Sequence, residues 1–339
     1  MSTALIPEAD SRVDTEPLAL QAHAEQTVPM SAGRALDLRT EAYGELRRTD
    51  AAIALRAARV TDCSLAEAAE CVAELRRRTD EDGYLYVPGF FDRAQIVGVR
   101  DDMVRRLARA GALAPGATAE DVTASATAAR VTRADILGAT DETGASPIPS
   151  VVFSPRLLGF YGALLGGAVR HYDHIWLRLV RPGRGTPPHC DLPYMGRGTR
   201  EVMTAWIPYR DTSLKLGGLM ILERSHLQAH RIRAYLDRDV EEFCVNRGPY
   251  KHKPGLLSNN PYTLRERFGG RWLTSPEFRA GDLLTFGMSL IHASLDNQCT
   301  GYRLSTDTRY QLASEPIDER WVGPNTEEWA ERNRVGKIC

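Results

Sequence analysis

The feature that most constrains the fold is a series of short β-rich segments between residues 169 and 312, separated by glycine and proline turns. Many short strands with few long helices among them are typical of a β-sandwich or barrel. We therefore expect a mainly β fold with flanking helices. The segments are HYDHIWLRLVRPG, EVMTAWIPYRD, GGLMILERSH, GDLLTFGMSLIHAS and YRLSTDTRYQL.

Two helices are predicted before this region. Ser64 and Glu67 have the spacing of a capping box, and apolar residues follow at helical intervals until Gly83. A short strand is predicted over residues 84–87, and Asp92 begins the second helix. Both helices are most simply supports for the β-rich part of the chain.

Composition excludes several classes of function. The 43 Lys and Arg residues nearly balance the 44 Asp and Glu residues, so no net field favours nucleic acid or an anionic membrane. No uninterrupted apolar run approaches the roughly 18–20 residues of a membrane span, and the N-terminus does not resemble a signal peptide. The six cysteines are scattered without a CxxC motif, which favours a reduced, cytoplasmic setting.

The chain divides into a main domain and appendages in this interpretation. Residues 1–60 are predicted to be a partly ordered N-terminal extension, and 61–315 the β domain with its helical support. Within that domain, residues 227–275 form a long irregular insertion that could serve as a lid. Residues 316–339 are a C-terminal tail, and a homo-oligomer formed through the N-terminal arm is left open.

His189 and Asp191 form the most informative local pattern. In a strand, residues two apart point to the same face, so this pair would present an imidazole and a carboxylate together. His292, after an apolar strand, is the best candidate for a third ligand. Two histidines and one carboxylate on one face of an octahedron are typical of non-haem Fe(II) oxygenases. The pair alone is weak evidence, because two such residues often lie in a surface loop.

Arg303 strengthens this interpretation. It lies eleven residues after His292, and in a strand it would share one face with Ser305, Asp307 and Arg309. So much charge inside a barrel would be costly without a polar ligand or paired charges. An anionic cosubstrate would account for Arg303, because a guanidinium binds a carboxylate bidentately. The alternative is that this face is solvated.

These motifs, in this order, resemble the phytanoyl-CoA dioxygenase-like family of Fe(II)/2-oxoglutarate-dependent oxygenases. The resemblance covers roughly residues 67–315. It implies a double-stranded β-helix, which is a jelly-roll or cupin-like barrel with flanking helices. The matching segments are His189-Cys190-Asp191, Leu216 to His226, Gly281 to Ser294 and Tyr302 to Gln311.

The resemblance also implies cofactors and their ligands. The three residues of the predicted metal site would bind Fe(II), and the open positions would take 2-oxoglutarate and O₂. Arg303 would bind the distal carboxylate of 2-oxoglutarate with help from the hydroxyl of Ser294, and Trp206 would line the same pocket. No catalytic residue beyond the metal centre is expected.

The implied reaction is hydroxylation, or another oxidation at an unactivated C–H bond, coupled to decarboxylation of 2-oxoglutarate to succinate and CO₂. Related halogenases lack the ligating carboxylate, so the presence of Asp191 disfavours halogenation. The Ala- and Arg-rich composition suits a high-GC bacterium, which favours a small-molecule substrate from specialised metabolism. We expect neither a nucleic acid nor a membrane as partner.

A substrate-binding role is assigned by hypothesis to the long insertion. Arg247, Tyr250, Lys251 and Lys253 form a basic and aromatic cluster there. Long irregular loops near a barrel mouth often carry substrate contacts, which here would suit an anionic or polar substrate. A simple solvated loop explains the cluster equally well.

Two other functions remain open on the sequence. The first is a zinc or other cupin-type metalloenzyme that uses the same three ligands without 2-oxoglutarate. The second is a non-catalytic barrel that binds a small molecule. Arg303 argues against the first, because zinc chemistry needs no cosubstrate anchor, and the intact set of ligands argues against the second.

Overall fold

Two facing β-sheets, covered by helices on one side, form the described part of the chain. This architecture is a double-stranded β-helix, and the predicted mainly β fold with flanking helices is confirmed. The computed structural model describes residues 27–30, 34–37, 43–127, 131–139, 144–240, 255, 257–258, 260–324 and 326.

The larger sheet is antiparallel. Its six strands are β4 (Tyr84–Val87), β5 (Val169–His171), β6 (Trp176–Val180), β7 (Met203–Pro208), β12 (Leu283–Gly287) and β14 (Arg303–Leu312). Their order is β4-β12-β7-β14-β5, and β6 pairs with β14 beside β5. The long strand β14 therefore pairs with β5, β6 and β7, and it contributes Arg303, Asp307 and Arg309 to the barrel interior.

The smaller sheet has four strands in the order β13-β9-β10-β3. They are β3 (Tyr43–Glu45), β9 (Leu219–Leu222), β10 (Trp272–Thr274) and β13 (His292–Ser294). All pairs are antiparallel except β3 with β10, which are parallel. The remaining two-stranded ladders pair β1 (Thr27–Met30) with β2 (Arg34–Asp37), and β8 (Thr212–Ser213) with β11 (Glu277–Phe278).

The two predicted helices, α2 (Leu65–Asp82) and α3 (Arg93–Arg109), begin where local sequence signals place them. Ser64 and Glu67 form the capping box of α2, and Gly83 ends that helix in the left-handed conformation. Asp92 caps α3 by accepting a hydrogen bond from the Gln95 backbone. The α-helices are α1 (Ala51–Ala57), α2 (Leu65–Asp82), α3 (Arg93–Arg109), α4 (Arg133–Leu137), α5 (Ile148–Val152), α6 (Pro155–Leu165), α7 (Leu192–Met195), α8 (Arg233–Leu236) and α9 (Pro261–Phe268); Ser225–Ile232 and Glu319–Trp321 are 3-10 helices.

Strand alternation separates the outer core from the barrel interior. On β7, Met203, Ala205 and Ile207 pack into the core that the larger sheet shares with the helices. Thr204 and Trp206, the residues between them, line a cavity inside the barrel. This two-residue period is what lets one strand contribute both to the core and to the functional site.

Residues 148–165 are long and apolar enough for a membrane span by composition, with a mean hydropathy of 1.3. Ser150, Ser154 and Arg156 interrupt this segment, so it is not the uninterrupted apolar run that the sequence analysis considered. In the structure the segment is two helices, α5 and α6, and Ser154 caps the second. Val151, Leu157 and Phe160 are buried in the core, which accounts for the hydropathy of the segment.

The predicted division into extension, insertion and tail stays a prediction, but residues of all three segments contact the barrel. The N-terminal extension reaches the barrel, because β3 pairs with β10 and the Leu46 backbone donates to Thr274. The same strand β10 lies at the C-terminal end of the predicted insertion, residues 227–275. Trp321, in the predicted tail, is buried beside Trp176. Short edge strands and single anchoring residues give no periodic signal, which is why the sequence did not reveal them.

Candidate metal centre and active site

His189, Asp191 and His292 converge on one point inside the barrel. One ligand atom from each lies within 4.8 Å of the others, and all three side chains are buried. The Nε2 atoms of His189 and His292 are 3.8 and 3.7 Å from Oδ1 of Asp191. This is the one such cluster found among the residues that the structure describes. The three predicted ligands are therefore brought together.

The local geometry differs from the predicted strand. His189 and His292 form an isolated antiparallel bridge, in which each backbone amide donates to the other's carbonyl at 2.9 and 3.0 Å. Asp191 precedes α7 and has helical backbone angles, φ −75° and ψ −26°. The argument from strand alternation was therefore wrong for this pair. A turn of helix, rather than an extended chain, directs the carboxylate back toward the imidazoles.

Hydrogen bonds fix the orientation of both imidazoles. Nδ1 of His189 lies 2.8 Å from the Pro187 carbonyl, and Nδ1 of His292 lies 3.0 Å from the Leu290 carbonyl. Each Nδ1 must carry the proton to donate there, so each Nε2 presents a lone pair to the shared point. Burial and the neighbouring His292 lower the pKa of His189 to about 3, and burial likewise lowers the pKa of His292. Both rings are thus neutral near pH 7.

The carboxylate of Asp191 is held through one oxygen only. Its Oδ2 accepts hydrogen bonds from Thr204 Oγ1 at 2.7 Å and from the Arg309 guanidinium at 2.9 Å. Burial alone would raise the pKa of Asp191, but the charge of Arg309 and the hydrogen bond from Thr204 reverse this effect and lower it. The ionised carboxylate therefore directs Oδ1 toward the histidines.

Arg309 is a fully buried cation that pairs with Asp191. Its guanidinium lies 4.6 Å from the ring centre of Trp176 and donates to the sulfur of Met195. The sequence predicted that Arg309 shares a face with Arg303, but it did not predict this contact with the metal ligand. The sequence signal that could have indicated a role for Arg309 is the alternation of β14, where Arg303, Asp307 and Arg309 follow at intervals of four and two residues.

A small, partly open cavity adjoins the three ligands. Both sheets line it, and its walls combine apolar side chains with three guanidinium groups. Thr186, Thr204, Phe286 and Leu219 were not predicted as site residues. The lining residues are Arg178, Thr186, His189, Thr204, Trp206, Leu219, Phe286, His292, Arg303, Asp307 and Arg309.

Arg303 is buried in the cavity wall without an ionic partner. It is 1% exposed, its NH1 donates to the Gly217 carbonyl, and no carboxylate of the described residues lies within ion-pair distance. Its Nε has no hydrogen-bond partner, and the same is true of Trp206 Nε1 and Ser305 Oγ nearby. Burial lowers the pKa of Arg303 to about 10, so the group is still charged near pH 7. Unsatisfied buried donors of this kind indicate room for an anionic ligand.

Trp206 and Ser294, the other two residues predicted to bind the cosubstrate, differ in their position relative to the cavity wall. Trp206 lines the cavity directly. Ser294 does not belong to the lining; its Oγ accepts a hydrogen bond from the Thr186 backbone at 2.8 Å, and Thr186 is the residue that reaches the cavity. Ser294 is thus one layer behind the wall.

The predicted substrate residues Arg247, Tyr250, Lys251 and Lys253 lie outside the described residues. Their assignment remains a prediction.

Comparison with known proteins identifies relatives. The sequence model of the family Phytanoyl-CoA dioxygenase (PhyH) matches residues 79–305 of the chain. A 1-deoxypentalenic acid 11-beta-hydroxylase from Streptomyces arenae is 28% identical over 263 residues, which covers 71% of this chain and 81% of the relative. The protein of the same name from Streptomyces exfoliatus is 27% identical over 253 residues, with the same coverage.

Solved structures also match. The epimerase SnoN, crystallised with Fe³⁺, alpha ketoglutarate and nogalamycin RO, is 21% identical to this chain with a TM-score of 0.47. The match covers 73% of this chain and 86% of SnoN.

Proposed function

This chain belongs to the phytanoyl-CoA dioxygenase family, and on that premise we propose that it is an Fe(II)- and 2-oxoglutarate-dependent dioxygenase that hydroxylates a small molecule. The observation that carries the proposal is the convergence of His189, Asp191 and His292 within 4.8 Å. Two neutral imidazoles and one carboxylate leave three positions of an octahedral ion open. The donor set therefore suits a ferrous ion that must also bind a cosubstrate and O₂.

Arg303 supports the use of 2-oxoglutarate. A buried guanidinium with an unsatisfied Nε and no carboxylate partner among the described residues is costly unless an anion binds it. 2-Oxoglutarate has a distal carboxylate that matches the guanidinium fork. Trp206 Nε1 is a second free donor in the same wall. In this proposal Ser294 acts through Thr186 by fixing the backbone that lines the pocket.

The residues around the metal site have separate roles in this proposal. The Nδ1 donors of His189 and His292 keep both Nε2 atoms aimed at the metal position, and Arg309 keeps Oδ1 of Asp191 free for it. The Phe286 ring packs 4.5 Å from the His292 ring, where its apolar surface would reduce the access of water to the ligands. When bound, the ferrous ion and 2-oxoglutarate supply the activation of O₂, with succinate and CO₂ as coproducts.

The substrate is proposed from the two curated relatives. Both bear the name 1-deoxypentalenic acid 11-beta-hydroxylase, so a specialised metabolite is the class we propose, and 1-deoxypentalenic acid is the first compound to test. Halogenation, which the sequence disfavours, is no part of this proposal, because Asp191 supplies the carboxylate of the cluster.

The test is an assay under ¹⁸O₂ with Fe(II), 2-oxoglutarate, 1-deoxypentalenic acid and a panel of bacterial metabolites. We expect succinate and an oxidised product in equal amounts, with label in both. Replacing Asp191 by Ala should abolish succinate formation, because the metal would lose its one anionic ligand. Asp237→Ala, which removes an exposed carboxylate from an ion pair with Arg200, should not change it.

Two results would contradict this function. Turnover that needs zinc and no 2-oxoglutarate would favour a cupin-type metalloenzyme. Stoichiometric binding of a metabolite without any binding of Fe(II) would favour a non-catalytic barrel.

A further inference from the structure

Arg178 presents uncommitted hydrogen-bond donors to the cavity. It lies on β6 and lines the cavity, and 34% of its side chain is exposed. Its Nε donates to Oδ2 of Asp307 at 2.6 Å. Among the described residues, no acceptor lies within hydrogen-bond distance of its two terminal nitrogens. Four N–H groups of this guanidinium are therefore available to a ligand.

Asp307 fixes the orientation of Arg178. The carboxylate is 7% exposed and lies on β14, whose neighbouring residue on the same face, Ser305, is paired with Arg178 across the strands. A bond to Nε leaves the edge formed by the two terminal nitrogens free, and this edge can bind a carboxylate through two parallel hydrogen bonds. The pair thus pre-orients a binding group and does more than neutralise a charge.

The other two guanidinium groups of the cavity are already engaged. Arg309 bonds to Asp191, the proposed metal ligand. Arg303 is assigned to 2-oxoglutarate in the proposed function. Of the three guanidinium groups that line the cavity among the described residues, Arg178 is therefore the one left for the substrate.

The balance of charge leads to the same conclusion. Three guanidinium groups border the cavity, against the carboxylates of Asp191 and Asp307, so the walls carry an excess of one positive charge. A ferrous ion and the 2-oxoglutarate dianion would cancel each other and leave this excess in place. An anionic substrate would neutralise it and avoid the cost of an unbalanced buried charge.

We propose that Arg178, held by Asp307, determines specificity by binding a carboxylate of the substrate. The remaining lining includes Leu219, Phe286 and Trp206, so the body of the substrate is an apolar carbon skeleton. This inference rests on the proposed function, since it assigns Arg303 to 2-oxoglutarate. It names the substrate class as small, mainly apolar carboxylic acids.

The experiment measures binding, without turnover. The full chain is loaded anaerobically with Fe(II) and saturating 2-oxoglutarate, and then titrated with matched carboxylic acids and methyl esters on alicyclic, aromatic and linear skeletons. We expect the acids that bind to do so at least about tenfold more tightly than their esters, as a charged hydrogen-bonded pair predicts. A panel in which no acid binds more tightly than its ester would overturn the inference.

The variants locate the carboxylate. Arg178→Leu should remove the preference for acids, and Arg178→Lys should retain part of it, since the charge remains but the fork is lost. The double variant R178L/D307L removes both charges, so it loses the preference without leaving Asp307 unpaired. Arg93→Leu, which breaks an exposed Arg–Asp pair, should leave the preference intact.

Two outcomes separate this inference from the proposed function. If acids lose their preference in Arg303→Leu but not in Arg178→Leu, they bind in the cosubstrate pocket and the inference is wrong. If the wild-type chain with Fe(II) does not bind 2-oxoglutarate at all, the proposed function fails first. Binding of 2-oxoglutarate without any preference for acids contradicts the inference alone.

Discussion

At the scale of single residues, the metal centre depends on how Asp191 is held. A carboxylate without other partners can bind a metal through one oxygen or through both. The second mode leaves one fewer coordination position open on the metal ion. Here Thr204 and Arg309 both donate to Oδ2, which leaves Oδ1 for the ion. Partners of this kind commonly change metal affinity by 10- to 100-fold.

Arg309→Leu should therefore weaken metal binding by about 10- to 100-fold, because Asp191 loses its fixed orientation and its charge partner. Anaerobic titration with Co²⁺, followed by absorbance, measures the affinity directly. Arg309→Lys should recover part of the loss. An affinity within twofold of wild type in Arg309→Leu would show that Thr204 alone orients the ligand.

The metal-free protein should also become less stable in acid. Burial lowers the pKa of His189 to about 3 in the folded chain, whereas an unfolded histidine titrates near 6.5. Between these values the unfolded chain binds the extra proton, so lowering the pH favours unfolding. This one residue should cost about 2 kcal/mol between pH 8 and pH 5. Urea unfolding at both pH values measures it, and His189→Asn should show a weaker pH dependence.

Residue chemistry was the most predictable part of the site. The side chains of His189, Asp191 and His292 can be chosen from the sequence because few other residue types bind iron in this pattern. The residues that donate hydrogen bonds to Asp191 could not be predicted, because Arg309 is 118 positions away in the sequence and Thr204 is 13. Such contacts depend on how strands pair, which a local pattern does not specify.

At the scale of elements, the end of α2 shows how helix and barrel are joined. Gly83 ends the helix with φ +80°, a conformation that glycine adopts easily. The ring of His226 packs against its Cα and lies 3.1 Å from the Asp80 carbonyl through Nε2. The Ser-His segment after β9 is thereby a structural contact to the helix.

Gly83→Ala should destabilise the fold by about 1–3 kcal/mol, because the new methyl group would overlap the His226 ring at a strained backbone position. Thermal or urea unfolding gives the value. The matched control is Gly98→Ala within α3, where no atom beyond the surrounding helix backbone lies within 4 Å of the added carbon. That change should raise stability by about 0.5–1 kcal/mol, and a loss there as large as at Gly83 would contradict the account.

Elements with a strong period were predicted correctly, and irregular ones were not. The alternation of β14 placed Arg303, Asp307 and Arg309 on one face, as observed. The same rule failed for His189 and Asp191, where the chain leaves an isolated bridge and turns into α7. A proline after Leu192 was the available signal, because proline favours the first turn of a helix.

At the scale of the whole molecule, the proposed ligands come from parts of the chain that only the closed barrel brings together. His292 lies on β13 in the smaller sheet, and the partners of Asp191 lie on β7 and β14 in the larger one. An ion bound there would connect both sheets. Metal binding and folding should therefore be coupled.

Addition of Co²⁺ under anaerobic conditions should raise the melting temperature. At a free metal concentration of 100 times Kd, the gain in unfolding free energy is about 2.7 kcal/mol. Excess chelator should reverse it. His292→Ala should show no metal-dependent shift, and a shift that survives this substitution would place the metal elsewhere.

The edge of the smaller sheet was the least predictable feature of the molecule. β3 pairs in parallel with β10, although more than 200 residues separate them. Three residues are too few to show a strand period, and a parallel pair needs no local turn signal. The sequence therefore assigned this segment to an extension.

The central claim is that one ferrous ion and 2-oxoglutarate bind together at His189, Asp191 and His292, with Arg303 behind them. The most direct measurement is an anaerobic titration of the Fe(II)-loaded chain with 2-oxoglutarate, followed by visible absorption that requires both components. We predict saturation at one equivalent, weaker 2-oxoglutarate binding in Arg303→Leu, and no signal in Asp191→Ala. A wild-type chain that binds Fe(II) but gives no such absorption, or an unchanged signal in Asp191→Ala, would contradict the claim.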